Sequence, residues 1–398
     1  MKQLAPIVLF TYNRLEHTKE TIEALVRNTL SKESELFIFS DGGKDEASWK
    51  QVQVVREYLC SIKGFKKITL IEQEKNIGLA DSIVNGVTQI VNEYGKIIVL
   101  EDDIVTSPSF LDYMNRALDF YEDKTKVWHV SGWNYPIHPQ GFDETFLWRG
   151  MNCWGWGTWR DRWQHYHRDA QKFIEQFSEA DIRSFNMDGA DNVWNQVLRN
   201  AEGLMNTWAV FWHATIFSHQ GLCLNPTLSY VQNIGFDGSG SNTGMKSWMH
   251  DALNEKKEIS FVEKLEENII ALERIKLFYY EDPQHARIEF SKKLNRFVAK
   301  LHALNNANQT YILYGAGVVA ELVVGVMQEN ILFIVDTDIA KQGRVLYGKN
   351  VYAPQKLLDV EYKNVAIIVS VLGREELIED FLTTKCAKDK KNIIRLDG

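Results

Sequence analysis

The chain has 398 residues, 45% of them hydrophobic and 25% charged, a globular composition with room for a sizeable core and two or three domains. A formal net charge of -8 argues against a general nucleic-acid binder, which needs clustered Lys and Arg, yet admits a nucleotide held through a divalent metal. Cys60, Cys153, Cys223 and Cys386 are widely separated and form no CxxC pair, which argues against a disulfide framework or a zinc site.

The opening MKQLAPIVLF has one Lys and a very short apolar run, so it reads as neither a signal peptide nor a membrane span. No transmembrane segment is expected anywhere, since no stretch approaches 18 uninterrupted apolar residues. The expectation is a cytoplasmic protein. Peripheral association with the inner face of a membrane stays open, as does a homodimer.

Residues 1–125 alternate strand and helix patterns. APIVLF is a strand, and 16–28 a helix with Ile22, Leu25 and Val26 on one face. ELFIFSDGG ends a second strand in a glycine turn, before a helix at 47–61. KKITLIEQ is a third strand, NIGLADSIVNGVTQIVNEY a helix, and KIIVLEDD a fourth strand. Short apolar strands separated by helices predict a mostly parallel α/β sheet covered on both faces. Ligands of such sheets bind beyond the carboxyl ends of the strands. Three of those ends carry polar clusters: Thr11-Tyr12-Asn13-Arg14, Ser40-Asp41-Gly42-Gly43 and Glu101-Asp102-Asp103.

Three adjacent carboxylates at the end of a buried strand repel one another and are costly to desolvate. Mg²⁺ or Mn²⁺ would offset that cost, because hard cations sit between one or two carboxylates and substrate phosphates.

Eleven of the twelve tryptophans lie between Trp128 and Trp248, interleaved with glycines in MNCWGWGTWRDRW. Most must be core. Two or three, with Trp133, Trp154 and Trp156 first in line, suit an acceptor cleft, where indole faces stack on sugar C–H surfaces. The segment NIGFDGSGSNTG, 233–244, reads as a glycine-rich loop over the site.

Residues 5 to about 240 resemble the GT-A glycosyltransferases, in particular the animal β-1,2-N-acetylglucosaminyltransferase that starts complex N-glycans and bacterial family 2 relatives. The resemblance is carried by VLEDDIVTSPSFLDYMNRAL followed by VWHVSGWN, by TYNR and FSDGG, and by PTLSYVQNIGFDGSGS. It implies a GT-A, Rossmann-like domain at 1–250, with a nucleotide-sugar half at 1–125 and a Trp-rich acceptor half at 126–250. It implies an inverting, metal-dependent transfer from a nucleotide sugar, a UDP-sugar above all, to a hydroxyl of a glycan, glycolipid or glycoprotein in bacterial surface polysaccharide or glycoconjugate synthesis. Asp103 would be the metal ligand. Asp102 would lie against ribose and diphosphate, with Glu101 in support. Asp41 would accept a hydrogen bond from the base, and Arg14 would lie near base or phosphate, beside Thr11 and Asn13. Asn76 and Gly78 would place a helix N-terminus near the donor. The general base would be Asp191 in DGADNVW, with Asp188 as fallback. Asn242 stands where bacterial relatives often carry a His, leaving His219 and His250 as substitutes.

The charged stretch 251–307 reads as a helical linker, and 308–398 as a second, small Rossmann-like α/β domain. There YGAGVVAE opens a helix after a strand, and Asp336 ends the next strand 19 residues beyond Gly317. Gly315, Gly317 and Asp336 thus outline a second nucleotide site of dinucleotide type. Two other classes remain to be weighed. One is a non-catalytic carbohydrate-binding protein with a degenerate GT-A site; the other is an NAD-dependent oxidoreductase working through the C-terminal domain.

Overall fold

The computed structural model describes residues 3–139, 141–236, 253–281, 300–307, 309–371 and 375–396. Most of the glycine-rich loop (237–244), Asn242 and His250 lie outside the described residues. The chain forms two compact units, Met1–Tyr280 and Glu281–Gly398.

The first unit is built on an eight-stranded sheet. Its strands are β1 (Ile7–Thr11), β2 (Glu35–Ser40), β3 (Lys67–Glu72), β4 (Lys96–Glu101), β6 (Val127–Ser131), β7 (Thr145–Trp148), β8 (Trp156–Trp159) and β9 (Leu222–Pro226), ordered β3-β2-β1-β4-β8-β6-β9-β7. The first four run parallel, and β8 joins β4 antiparallel. β1 and β4 are buried along almost their whole length because helices cover both faces, which explains runs of apolar residues without alternation. The helices of this half are α1 (Leu15–Val26), α2 (Glu46–Ser61), α3 (Leu79–Tyr94) and α4 (Phe110–Phe120). In α3, Ile83, Val87, Ile90 and Val91 recur at helical spacing and face the core. The chain leaves β1 towards β2 and β3 on one side and returns to place β4 on the other. The carboxyl ends of β1 and β4 therefore form a topological switch point, where a crevice opens.

A two-stranded ribbon completes that corner: β5 (Ile104–Thr106) pairs antiparallel with β10 (Val231–Asn233). The helical segment 170–218 carries its own aromatic cluster around Phe173, Phe185, Trp194 and Phe211.

The stretch expected as a linker does not stand apart. Ile259, Ala271, Leu272 and Ile275 are buried in the core of the first unit, whereas Leu301 belongs to that of the second. The helix Ile269–Glu281 puts Ala271, Leu272 and Ile275 into the first unit's core, and its Arg274 and Lys276 bond to the His138 carbonyl and to Asp188 of the same unit.

The second unit has a six-stranded sheet, β11 (Tyr311–Tyr314), β12 (Ile331–Val335), β13 (Val345–Leu346), β14 (Lys349–Tyr352), β15 (Ala366–Val369) and β16 (Ile393–Arg395), ordered β13-β14-β12-β11-β15-β16. All pairs are parallel except β13–β14. Leu313, Ile334 and Ile368 pack on one face and Ile312, Val335 and Ile367 on the other, as the two-residue period of a doubly covered sheet requires. Gly315, at φ +101°, makes the turn after β11; a Cβ there would meet Val371 Cγ2 at 2.4 Å, so only glycine fits.

Candidate active site

The register Phe10↔Glu101 sets the end of β1 directly beside the acidic triplet. Asp102 and Asp103 are 5% and 7% exposed, so their charges cannot be left to water. Arg14, one residue before α1, supplies the compensation. Its Nη2 donates to Asp102 Oδ1 and, at 2.8 Å, to Asp103 Oδ2. Thr21 Oγ1 in α1 donates to the Asp102 carbonyl at 2.9 Å, which ties the same helix to the turn.

One guanidinium against three carboxylates leaves the corner electronegative. Burial would lower the Arg14 pKa, but Asp102 and Asp103 outweigh it and hold the group charged. Burial pushes Glu101 up to about 8, with Asp103 and Asp102 adding to the rise. Asp102 is also raised by burial, against the pull of Arg14. Among the described residues Thr11 Oγ1, Arg14 Nη1 and Asp102 Oδ2 are buried without partners, and all three residues line the same cleft. Buried polar atoms are ordinarily satisfied, so a cluster of orphans marks where a ligand's polar groups would go. The donor set is oxygen, as Mg²⁺ or Mn²⁺ requires. Among the described residues no three His, Cys, Asp or Glu enclose a cation by themselves. A cation at Asp103 would therefore share its shell with phosphate oxygens and water, the usual habit of these ions.

The cleft encloses about 570 Å³. Thr11, Asn13, Arg14, Asp41, Asn76, Gly78, Glu101, Asp102, Asp103 and Trp154 all line it, so the structure brings together the residues read from the sequence for the first nucleotide site. Asp41, however, is already occupied. Its two oxygens accept from the backbone N–H groups of Gly42, Ile77 and Gly78 and from Asn76 Nδ2, at 2.8–2.9 Å. A carboxylate offers about four acceptor sites. Asp41 thus latches the loop before α3 to the end of β2 and has none to spare for a base N–H.

The acceptor residues divide. Trp154 faces the cleft, and Trp133 is buried edge-on against it, ring centroids 4.6 Å apart. Trp156 is 1% exposed and stacks between His129 and Trp208; it is core, because its place in β8 turns its ring into the layer beneath the sheet. Sequence reading missed Lys44, Gln196, Asn233 and the run Met205–Ala209, including Trp208, all on the cleft wall. The run NTWA before an apolar helix was the available signal.

Asp191 does not line the cleft. Its Oδ1 accepts from the Asn192 N–H at 2.7 Å, and its carboxylate also accepts from the Tyr279 hydroxyl. Tyr279 in turn meets the Tyr135 hydroxyl at 2.9 Å, and Tyr135 packs on Trp133. Asp188 is a brace. It lies at φ +56°, bonded to Arg149 at 3.1 Å and Lys276 at 3.3 Å. His219 is tied to the Thr215 carbonyl on the segment's own helix.

At the second unit's glycine turn, Asp336 Oδ2 accepts from the Ala316 N–H at 2.7 Å and its Oδ1 from the Asp338 N–H at 2.8 Å; Lys341 approaches at 3.3 Å. The acid that would hold a ribose, and an N–H that would face a phosphate, satisfy each other.

A parallel-rich α/β sheet with an acidic triplet and an arginine at its switch point agrees with the GT-A glycosyltransferase arrangement expected from the sequence. Residues 1–167, under half of the chain, match the GNT-I family, which supports a glycosyltransferase. The chain is similar in structure to S. aureus TarS, at 19% identity and a TM-score of 0.26, over 36% of this chain and 24% of that one. It is also similar to the 1–349 portion of S. aureus TarS, at 12% identity and a TM-score of 0.33, over 57% and 59%. A third similar structure is the mannosyltransferase PcManGT of Pyrobaculum calidifontis in complex with GDP-Man and Mn²⁺, at 11% identity and a TM-score of 0.31, over 55% and 71%. The chain thus spans about a quarter of TarS in the first of these. No curated protein matches it. Among the described residues no helix is long and apolar enough to cross a membrane.

Proposed function

We propose that the protein is a metal-dependent, inverting glycosyltransferase moving a sugar from a nucleotide sugar, a UDP-sugar first, to a hydroxyl of a glycan acceptor in surface polysaccharide or glycoconjugate synthesis. The observation that carries this reading is the set of orphaned polar atoms beside Asp103 in one 570 Å³ cleft. Asp103 and the neighbouring carboxylates would hold Mn²⁺ or Mg²⁺, which when bound neutralises charge building on the departing diphosphate. Arg14 Nη1 is a further cationic donor for that diphosphate, and Asp102 Oδ2 accepts a ribose hydroxyl. Asp41 acts by holding Asn76 and Gly78 in place. Trp154 offers an aromatic wall to the sugar.

The acceptor oxygen bonds to the anomeric carbon as the bond to diphosphate breaks, and its proton passes to a carboxylate base. Asp191 is that base, oriented by Tyr279.

The test is a thermal-shift panel of nucleotide sugars with and without Mn²⁺, followed by a transfer assay. At least one UDP-sugar should raise Tm only when Mn²⁺ is present, and Asp191→Asn should keep that rise while losing transfer. A panel with no shift defeats the enzyme reading; a fully active Asp191→Asn moves the base elsewhere.

A further inference from the structure

The acidic turn is closed from behind by the chain leaving β10. Asn233 pairs with Ile104, the residue directly after Asp103, and the Ile234 N–H donates to the Asp103 carbonyl at 2.9 Å. Asn233 is 5% exposed and lines the cleft, and its Oδ1 accepts from the Gly235 N–H at 2.7 Å. A Cβ on Gly235 would stand 2.2 Å from Asp103 Oδ2 and 3.1 Å from Asn233 Oδ1. Gly235 does not have a left-handed φ. The constraint here is space and not backbone conformation: a Cβ would have to push the Asp103 carboxylate aside. One residue further on, Phe236 packs edge-on against Trp154, centroids 5.5 Å apart, so the turn is pinned to two walls of the cleft.

Asp103 Oδ2 is thus held from two sides, by Arg14 Nη2 at 2.8 Å and by the bare backbone of Gly235. That fixes one rotamer and leaves Oδ1, which accepts no hydrogen bond among the described residues, as the free oxygen. We infer that the Asn233–Gly235 turn is a positioning element for Asp103, with Gly235 setting the orientation in which Asp103 meets the donor's metal and diphosphate. The inference rests on the glycosyltransferase reading and adds to it residues that the acidic motif itself does not contain. Groups that orient a metal ligand ordinarily change affinity by about 10–100-fold when disturbed.

The test uses the full chain, with Mn²⁺ and UDP as the probe. Electron paramagnetic resonance of free Mn²⁺ at saturating UDP gives metal affinity, and melting without either ligand reports the fold. Gly235→Ala should melt close to wild type yet bind Mn²⁺ about 10–100-fold more weakly. Asn233→Ala, which removes the cap on the Gly235 N–H without crowding Asp103, should fall between. Wild-type Mn²⁺ affinity in Gly235→Ala overturns the positioning role. Should that variant unfold, wild-type affinity in Asn233→Ala overturns it equally. If the wild type itself binds no Mn²⁺ with UDP, the glycosyltransferase reading fails first and the inference with it.

Discussion

The two units solve the same local problem, a carboxylate at the end of a buried parallel strand, in opposite ways. In the second unit Asp336 is satisfied from within, by the N–H groups of Ala316 and Asp338 and by Lys341. Burial would raise its pKa, but those donors outweigh burial and hold it below the usual carboxylate range. In the first unit Asp102 and Asp103 share one arginine, and among the described residues Thr11, Arg14 and Asp102 each keep a buried polar atom without a partner. A strand-end acid becomes a binding group when its partners must come from outside. The sequence pattern alone, acid after apolar strand beside a glycine turn, is the same in both.

The widest separation between the units is expected from removing the charge at each. Asp103→Asn should cost transfer on the order of 10³-fold, the size of several kcal/mol of lost charge stabilisation. Asp336→Asn should leave transfer unchanged and cost about 1–3 kcal/mol of stability in its own unit, since it breaks buried hydrogen bonds. All twelve tryptophans precede residue 249, so tryptophan fluorescence reports the first unit alone and far-UV dichroism reports both. Loss of nucleotide-sugar binding in Asp336→Asn would erase the distinction.

Removing the cation at each corner should give a smaller effect. Arg14→Leu leaves two buried carboxylates without their partner. The penalty for such a break is about 3–5 kcal/mol, and the lower end applies because the Arg14 side chain keeps 20% exposure. Lys341 is 36% exposed and secondary to two backbone donors, so Lys341→Leu should cost under about 1 kcal/mol. Equal melting shifts for the two would show that Arg14 does not carry the compensation.

The sequence made the parallel half of the first sheet legible because fully buried strands cannot alternate, and helical spacing gave the helices between them. The position of the acids followed from chain order. What it hid was long-range pairing. Arg14 lies 88 residues from Asp102, and no local pattern shows that it bonds to the acids. Asp41 looked like a base ligand because a turn gives no sign that the loop at 76–78 will consume its oxygens. Trp154 and Trp156 are two residues apart in one tryptophan-rich run; one lines the cleft and the other is core, and only the strand that starts at Trp156 decides which. The helix Ile269–Glu281 read as linker because the stretch around it is charged and helical. In the structure it brings Tyr279 to Asp191.

The smallest expected contrast is in acid. Burial lowers His129 to about 3 and His213 to about 4, and both lie in the first unit. His129 is held neutral between the Asn152 carbonyl and the Trp212 indole N–H, which donates to its Nδ1 at 3.2 Å. Unfolded, each would titrate near 6.5, so below that pH the unfolded chain binds protons that the folded one refuses. The stability these groups contribute is present above pH 6.5 and is lost as pH falls towards 4 and then 3. Each costs about 1 kcal/mol per pH unit inside that window. In the second unit the described residues include one histidine, His302, which is exposed. Melting followed by tryptophan fluorescence should therefore fall between pH 6.5 and 5, by what the two histidines lose beyond what Glu101, raised to about 8, regains over the same range, and the His129→Gln variant should fall less steeply. A His129→Gln variant with the same pH slope as wild type would mean that His129 takes up its proton in the folded state, and that the tryptophan-rich core is more open to water than its packing implies.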